Sequence, residues 1–142
     1  MSMGKGLGVG SSFNVMVWAP GHQSDWNHFA EQTGDTGWGY DALLDIYRRI
    51  ENWQGASDPH YRGTSGLVWV QPAKDPSPIV GALLNLAEAL GIPKFDSPDG
   101  KMMESAGGVA YSGMLVREGR RHSLCRAYVY PVADRPKPGT HG

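Results

Sequence analysis

Apolar residues at helical spacing predict the two longest regular elements of the chain. Residues 40–52 (YDALLDIYRRIEN) carry an apolar stripe at i, i+3, i+4 and i+7, with an acid near the start and two arginines near the end. Residues 77–90 predict a second helix, because Ser77 can cap it, Pro78 suits its first position and Gly91 follows it. We expect its buried face to comprise Ile79, Val80, Leu83, Leu86, Ala87 and Leu90.

Shorter patterns predict two further helices and three strands. One brief helix is expected after Ser24, which can cap it, with Gly34 just past its end, and another begins at Ser123 and is ended by Pro131. Runs of β-branched and apolar residues predict strands over 13–19, 67–71 and 109–116. Because helices and strands do not alternate strictly, we expect one compact α+β domain with a few short strands, three to four helices and many loops.

Composition narrows the class of protein. The 142 residues suit one domain, and a net charge of -1 argues against a nucleic-acid binder or a protein attracted to anionic membranes. The sequence contains no apolar run of 18 residues and no secretory leader pattern. A single cysteine, Cys125, excludes an internal disulfide framework, so we expect a cytoplasmic, reducing location.

The start of the chain holds the main candidate site. Residues 4–22 (GKGLGVGSSFNVMVWAPGH) begin with alternate glycines followed by two serines. Glycines permit positive φ and close approach to the backbone, and successive N–H groups can form a concavity that binds an anion or a carbonyl. The alternative is a floppy N-terminal tail, and residue periodicity does not separate the two.

Other chemistry-bearing residues give weaker signals. The five histidines lack metal-ligand spacing, so we assign no metal, and no catalytic residue is assigned either. We interpret Cys125 as a small buried hydrophobe, and the basic pairs at 48–49 and 120–121 as solvated surface. Trp38 and Trp69 are candidates for lining a pocket, although aromatic side chains more often anchor a core or a loop.

The order of residues 4–22 resembles the flavin-contacting signature of the glucose–methanol–choline (GMC) oxidoreductase family. That signature runs Gly-basic-x-Leu-Gly-Gly-(Ser)-Ser-x-x-Asn-x-Met, followed by an aromatic residue and Gly-His. Four later segments resemble the same family, so the likeness runs from Gly4 to about Pro136: GWGYDALLDIYRRIEN, YRGTSGLVWV, LAEALGIP and GRRHSLCRAYVYP.

The resemblance implies the central part of an FAD-dependent enzyme that oxidises alcohols. Residues 1–36 would be its flavin edge, 37–136 a substrate-domain-like α+β region and 137–142 a flexible tail. The Rossmann fingerprint G-x-G-x-x-G and the family's catalytic histidine region have no counterpart in this sequence. We therefore expect a fragment that is inactive alone.

The resemblance also places the cofactor contacts. It implies FAD contact at seven residues: Gly8, Gly10, Ser11, Ser12, Asn14, Val15 and Val17. Val9 replaces the family's second consecutive glycine, and a β-branched residue disfavours positive φ. Phe13 occupies the position where some members attach FAD through histidine, so any flavin is expected to be non-covalent.

The sequence leaves open what the chain binds to. One expectation is a missing flavin domain, if the chain is part of a larger enzyme. The alternative is a free-standing domain that self-associates or binds a small apolar ligand, because the segment FNVMVW would then expose apolar surface. We expect a homo-oligomer in that case, formed by strand pairing or exchange of the N-terminal arm.

Overall fold

The computed structural model describes residues 5–136 and has the predicted α+β character, with short strands that close no single sheet. The predicted flexible tail, 137–142, lies outside the described residues. The four α-helices are α1 (Gly10–Phe13), α2 (Gln23–Thr33), α3 (Tyr40–Ile50) and α4 (Pro78–Ala89). The six strands are β1 (Val17–Trp18), β2 (Glu51–Trp53), β3 (Val68–Val70), β4 (Gly113–Met114), β5 (Val116–Arg117) and β6 (Arg120–Arg121). Short 3-10 helices span Thr36–Trp38, Lys101–Glu104 and Tyr130–Val132, and a π-helix spans Cys125–Val129.

The six strands form three two-stranded sheets. β1 is antiparallel to β4, β2 is parallel to β3, and β5 is antiparallel to β6. Val68, Val70 and Leu115 form a buried cluster, and half-buried apolar side chains from the N-terminal segment and from β2 pack against it. This cluster holds the N-terminal segment against the middle of the chain.

A second apolar cluster joins α2 and α3 to the segment 101–104. Tyr40, Leu44 and Met103 are buried together, with Trp26 and Tyr61 packed against them. The Tyr40 and Tyr61 hydroxyls donate to the Glu104 carboxylate at 3.0 and 3.1 Å. Each polar tip therefore has a partner although its ring is packed in the cluster.

The helix predicted from residue 40 is confirmed, but it ends at Ile50. Asp41 lies in its first turn and two arginines lie in its last turn, as the dipole favours. Glu51 turns to extended backbone (φ -80°, ψ 145°) and begins β2, a strand that the sequence analysis missed. The strand predicted over 67–71 is confirmed as Val68–Val70.

Two expectations for the N-terminal segment are wrong. Residues 13–19 do not form one strand, because α1 closes at Phe13 with the Asn14 N–H donating to Gly10 O at 2.8 Å, and Met16 has a φ of 65°. Ser24 is not the cap of α2. His22 caps the helix instead, and its Nδ1 accepts from the Ser24 N–H at 3.1 Å.

The C-terminal expectations are confirmed only in part. The strand predicted over 109–116 reduces to β4 and the start of β5, and Leu115 between them is buried. The helix predicted from Ser123 is the π-helix 125–129, and it runs on into the 3-10 turn instead of stopping before Pro131. A proline fits there because the first turn of a helix needs no N–H from it.

Helix α4 is confirmed within a residue at each end, but the expected buried face is wrong. Its apolar stripe of Ile79, Leu83, Leu86 and Leu90 is 55–71% exposed, and only Leu84 is buried. The helix is apolar on nearly every side, so spacing alone does not select the inward face. The inward side carries Leu84 and Gly81, where a Cβ would lie 3.2 Å from the Tyr111 hydroxyl. Among the helices within residues 5–136, none combines the length and apolarity needed to cross a bilayer.

Candidate cofactor-binding site

Four of the seven residues predicted to contact the cofactor meet at one cavity of about 310 Å³. They are Gly10, Ser11, Asn14 and Val17. The remaining wall comes from β1, α3 and the later chain, and it consists of Met16, Trp18, Ala19, Tyr47, Leu115 and Leu124. Residues more than 100 positions apart therefore share one concavity beside the glycine-rich segment.

The other three predicted residues, Gly8, Ser12 and Val15, do not line this cavity. Gly8 has a φ of 84°, and a Cβ there would lie 3.0 Å from the Cys125 Cβ and would overlap the Ser12 hydroxyl. The Ser12 hydroxyl donates to Leu7 O at 2.8 Å, and the Val15 side chain is exposed. The structure gives Gly8 and Ser12 a role in shaping the loop.

The loop is tied down by polar contacts to the C-terminal part of the chain. The Ser11 hydroxyl donates to Gly8 O at 2.5 Å and accepts from the Leu124 N–H at 3.0 Å. The Arg121 guanidinium donates to Ser11 O at 3.1 Å and to Asn14 O at 2.6 Å. The interpretation of Arg121 as solvated surface is therefore wrong. No periodic signal in the sequence links Arg121 to Asn14, 107 residues earlier, so the residue pattern did not indicate this contact.

Val9 adopts a glycine-like backbone although it is β-branched. Its φ of 42° and ψ of -127° place it at the first central position of a turn closed by the Ser11 N–H donating to Gly8 O at 3.0 Å. That position of a type II′ turn normally holds glycine. Val9 holds this conformation at a cost of about 1–3 kcal/mol.

The cavity suits the edge of a flat, partly polar ring system. Trp18 and Tyr47 pack edge to face on its wall with ring centroids 5.7 Å apart, and Val17 adds apolar surface. The Asn14 carboxamide makes no hydrogen bond with any other residue in the range 5–136, so its donor and acceptor are available to a ligand. An isoalloxazine edge presents this combination of apolar faces and carbonyl and N–H groups.

A separate cluster of buried charges includes Glu51, the first residue of β2, and the sequence analysis missed it. Arg62 makes two hydrogen bonds to Glu51, at 2.6 and 3.1 Å, and one to Asp99 at 3.2 Å. Its guanidinium also lies 3.8 Å from the centre of a Trp53 ring. These three charged residues are only 2–5% exposed. Arg62 lies in the segment YRGTSGLVWV, which the sequence analysis interpreted only as a family resemblance.

One arginine cannot neutralise two carboxylates, and as a result the pKa of Asp99 is raised. Burial raises the pKa of Asp99 to about 7, Arg62 opposes that rise and the Glu51 carboxylate adds to it. Burial also raises the pKa of Glu51, against the opposing effect of Arg62. Because all three side chains are closed off from solvent, their charges act mainly on one another, and the cluster contributes to the stability of the fold.

The raised pKa of Asp99 predicts that the protein loses stability as pH rises. The folded state favours neutral Asp99, so this stability is complete below the ordinary carboxyl pKa near 4 and is lost as pH rises through about 7. Between pH 5 and pH 8 we expect the free energy of unfolding to fall on the order of 2 kcal/mol in urea titrations. Asp99→Asn should flatten this pH dependence, whereas Asp96→Asn, at an exposed position, should leave it unchanged. An equal pH dependence in wild type and Asp99→Asn would contradict the assignment.

The structure also shows the positions of the cysteine and of the two tryptophans proposed to line a pocket. Cys125 is buried, as predicted for a small hydrophobe. Trp38 is exposed and does not line the cavity beside the glycine-rich loop, whereas Trp69 is half-buried with the Arg117 guanidinium 4.7 Å from its ring centre. Within residues 5–136, no three His, Cys, Asp or Glu side chains are grouped as metal ligands.

The chain matches named relatives in sequence over nearly its whole length. The chain is 35% identical over 133 residues to an oxygen-dependent choline dehydrogenase of Brucella ovis, covering 94% of this chain and 23% of that protein. It is 32% identical over 143 residues to a pyridoxine 4-oxidase of Microbacterium luteolum, covering 94% and 26%. The chain thus spans about a quarter of the length of these relatives.

Solved structures agree in fold. The crystal structure of pyridoxine 4-oxidase from Mesorbium loti matches with a TM-score of 0.82 and 25% identity, over 94% of this chain and 26% of that one. An FAD-dependent oxidoreductase from Chaetomium thermophilum matches in fold with a TM-score of 0.76 and 23% identity, over 90% and 23%. Residues 1–137 match the profile of the GMC oxidoreductase family. The chain that builds this glycine-rich loop and cavity belongs to the GMC oxidoreductase family.

Proposed function

We propose that the chain forms the flavin-edge and substrate-domain part of an FAD-dependent oxidoreductase that acts on the CH–OH group of an alcohol. Residues 1–36 would be the flavin edge and 37–136 the substrate-domain-like region. The observation that carries the proposal is the convergence of Gly10, Ser11, Asn14 and Val17 on one cavity walled by Trp18 and Tyr47.

The residues of this chain have defined tasks in that proposal. When bound, FAD supplies the acceptor for the hydride that leaves the alcohol carbon. The Asn14 carboxamide would hydrogen-bond the ring edge, and Trp18 and Tyr47 would exclude water from it. Arg121 would hold the Ser11 and Asn14 carbonyls in place, so that the loop keeps its shape when empty.

We propose further that the chain is inactive by itself and needs additional polypeptide to bind FAD tightly. The relatives named choline dehydrogenase and pyridoxine 4-oxidase are about four times as long as the matched segment. Their names support a small alcohol as the substrate class.

The single cysteine is buried and free, which fits our expectation of a reducing, cytoplasmic compartment.

A chimaera tests this function. Residues 5–136 would replace the matching segment of the Brucella ovis choline dehydrogenase, and choline oxidation would be followed by oxygen uptake. We expect the chimaera to oxidise choline or another small alcohol, and the isolated chain with added FAD to oxidise none. A folded, flavin-loaded chimaera that oxidises no alcohol would contradict the proposed activity, and turnover by the isolated chain would contradict its inactivity alone.

A second candidate function is self-association of a free-standing domain. The exposed apolar stripe of α4 and the exposed Phe13 and Val15 favour it, because large apolar patches on a lone domain promote association. We expect sedimentation velocity of the isolated chain to detect dimers or larger species at chain concentrations of roughly 1–100 μM. The variant Leu83→Lys should shift the distribution toward monomer, and Lys94→Ala, at an exposed residue outside the stripe, should not. A chain that sediments only as a monomer at the highest concentration would contradict self-association.

A further inference from the structure

A basic concavity of about 550 Å³ lies beside the hairpin formed by β5 and β6. Its walls carry four arginines, one histidine and one acid: Arg117, Arg120, Arg121, Arg126, His122 and Glu118. The chain as a whole has a net charge of -1, so this concentration of positive charge is local.

The register of the hairpin brings two of these arginines together. Arg117 pairs directly with Arg120 across the strands, and both line the concavity. The turn between them, Glu118–Gly119, has positive φ at both residues, as in a tight type I′ turn. Like charges directly opposite each other destabilise a strand pair, so this arrangement is costly without a counter-ion.

The described residues provide little negative charge to offset the arginines. Glu118 lies 3.7 Å from the Arg117 guanidinium, and both side chains are at least half exposed, so that pair contributes little. Arg121 and Arg126 donate to neutral main-chain carbonyls. Arg120 is exposed and forms no salt bridge within residues 5–136. A guanidinium group matches the paired oxygens of phosphate, which it binds by two parallel hydrogen bonds, so several arginines lining one concavity favour a phosphate-bearing anion.

We propose that this concavity is a binding site for a phosphate-bearing anion of the diphosphate class, with Arg120 as a principal contact and Arg117 and Arg126 beside it. The concavity shares no lining residue with the cavity beside the glycine-rich loop, although Arg121 also donates to Ser11 O and Asn14 O in the wall of that cavity. The diphosphate would be either a free small anion or part of a nucleotide.

Calorimetric titration of the full chain with inorganic pyrophosphate at low ionic strength tests the proposal. We expect saturable binding, a Kd at least tenfold higher in Arg120→Gln, and a smaller increase in Arg120→Lys, which keeps the charge but loses the planar fork. Arg49→Gln is the matched control, because Arg49 is an exposed arginine outside the concavity, and its Kd should change less than twofold. Far-ultraviolet circular dichroism melts confirm that each variant folds like wild type.

Further titrations distinguish the sources of the diphosphate and the rival occupant. Competition by ADP but not by adenosine, lost in Arg120→Gln, would support the site with a nucleotide as its ligand. Pyrophosphate binding without competition by ADP would support it with a free anion. Absence of pyrophosphate binding, or equal weakening by Arg49→Gln, would overturn the proposal. Binding of polyglutamate alone, with the same dependence on Arg120, would overturn it in favour of a surface that docks an acidic protein.

Discussion

Replacing Arg62 with methionine is expected to lower the free energy of unfolding by about 3–5 kcal/mol at pH 8. Methionine fills a similar unbranched space but leaves Glu51 and Asp99 buried without the cation that now bonds to both. It also removes the guanidinium that lies 3.8 Å from the Trp53 ring centre, so the tryptophan fluorescence should change as well. Urea unfolding followed by fluorescence and by circular dichroism measures both effects.

The pH dependence of this variant separates lost charge pairing from lost packing. Protonating the two carboxyls removes the buried uncompensated charge, so Arg62→Met should lose less stability at pH 5 than at pH 8. Arg49→Met is the matched control, because Arg49 is exposed, and it should stay within about 0.5 kcal/mol of wild type. If Arg62→Met lowers the free energy of unfolding by less than about 1 kcal/mol at pH 8, the cluster does not stabilise the fold as we expect.

The second large effect is expected at Gly63, the residue after Arg62. A Cβ at Gly63 would overlap the carbonyl of Arg48 in the last turn of α3, and neither backbone can move freely. Gly63 O accepts from the Trp53 N–H at 2.7 Å, and Gly66 N–H donates to Glu51 O at 2.8 Å, so this loop pairs with β2 at one antiparallel bridge, between Asn52 and Thr64. Gly63→Ala is therefore expected to cost about 3 kcal/mol or more, measured by the urea midpoint.

Gly100→Ala provides the matched control for that substitution. The nearest atom to a Cβ at Gly100, an Asp58 carboxylate oxygen, would be 3.7 Å away, which is an ordinary van der Waals contact. We expect its unfolding midpoint to stay close to wild type. Equal stability of the Gly63→Ala and Gly100→Ala proteins would show that the loop and α3 are not packed as closely as the structure has them.

The elements that the sequence predicted well are those with local signals. Helix α3 follows from apolar spacing and end charges, and β3 from its β-branched run, because both depend on neighbours within about ten residues. The N-terminal strand failed because the Asn14–Gly10 bond closes a helical turn and Met16 adopts a positive φ, and neither has a periodic signature. Long-range partners such as Arg121 and Asn14 were not predictable for the same reason.

The buried face of α4 shows a different limit. An apolar stripe in the sequence indicates that a helix face is to be covered, but it does not indicate by what. Within the described residues, the stripe that includes Leu83 and Leu86 is exposed, and the relatives are about four times longer than the matched segment. For the candidate site, motif resemblance placed Gly10, Ser11, Asn14 and Val17 together, whereas Trp18 and Tyr47 joined them only through tertiary packing.

The flavin content of the purified choline dehydrogenase chimaera tests the central claim most directly. If residues 8–17 form the edge of an FAD site, the folded chimaera should purify yellow, with about one FAD per chain released on denaturation, and Asn14→Leu should reduce that content. Lys94→Ala, at an exposed residue outside the cavity, should leave the content unchanged. A folded chimaera with native-like circular dichroism, no flavin absorbance and no uptake of added FAD would contradict the account.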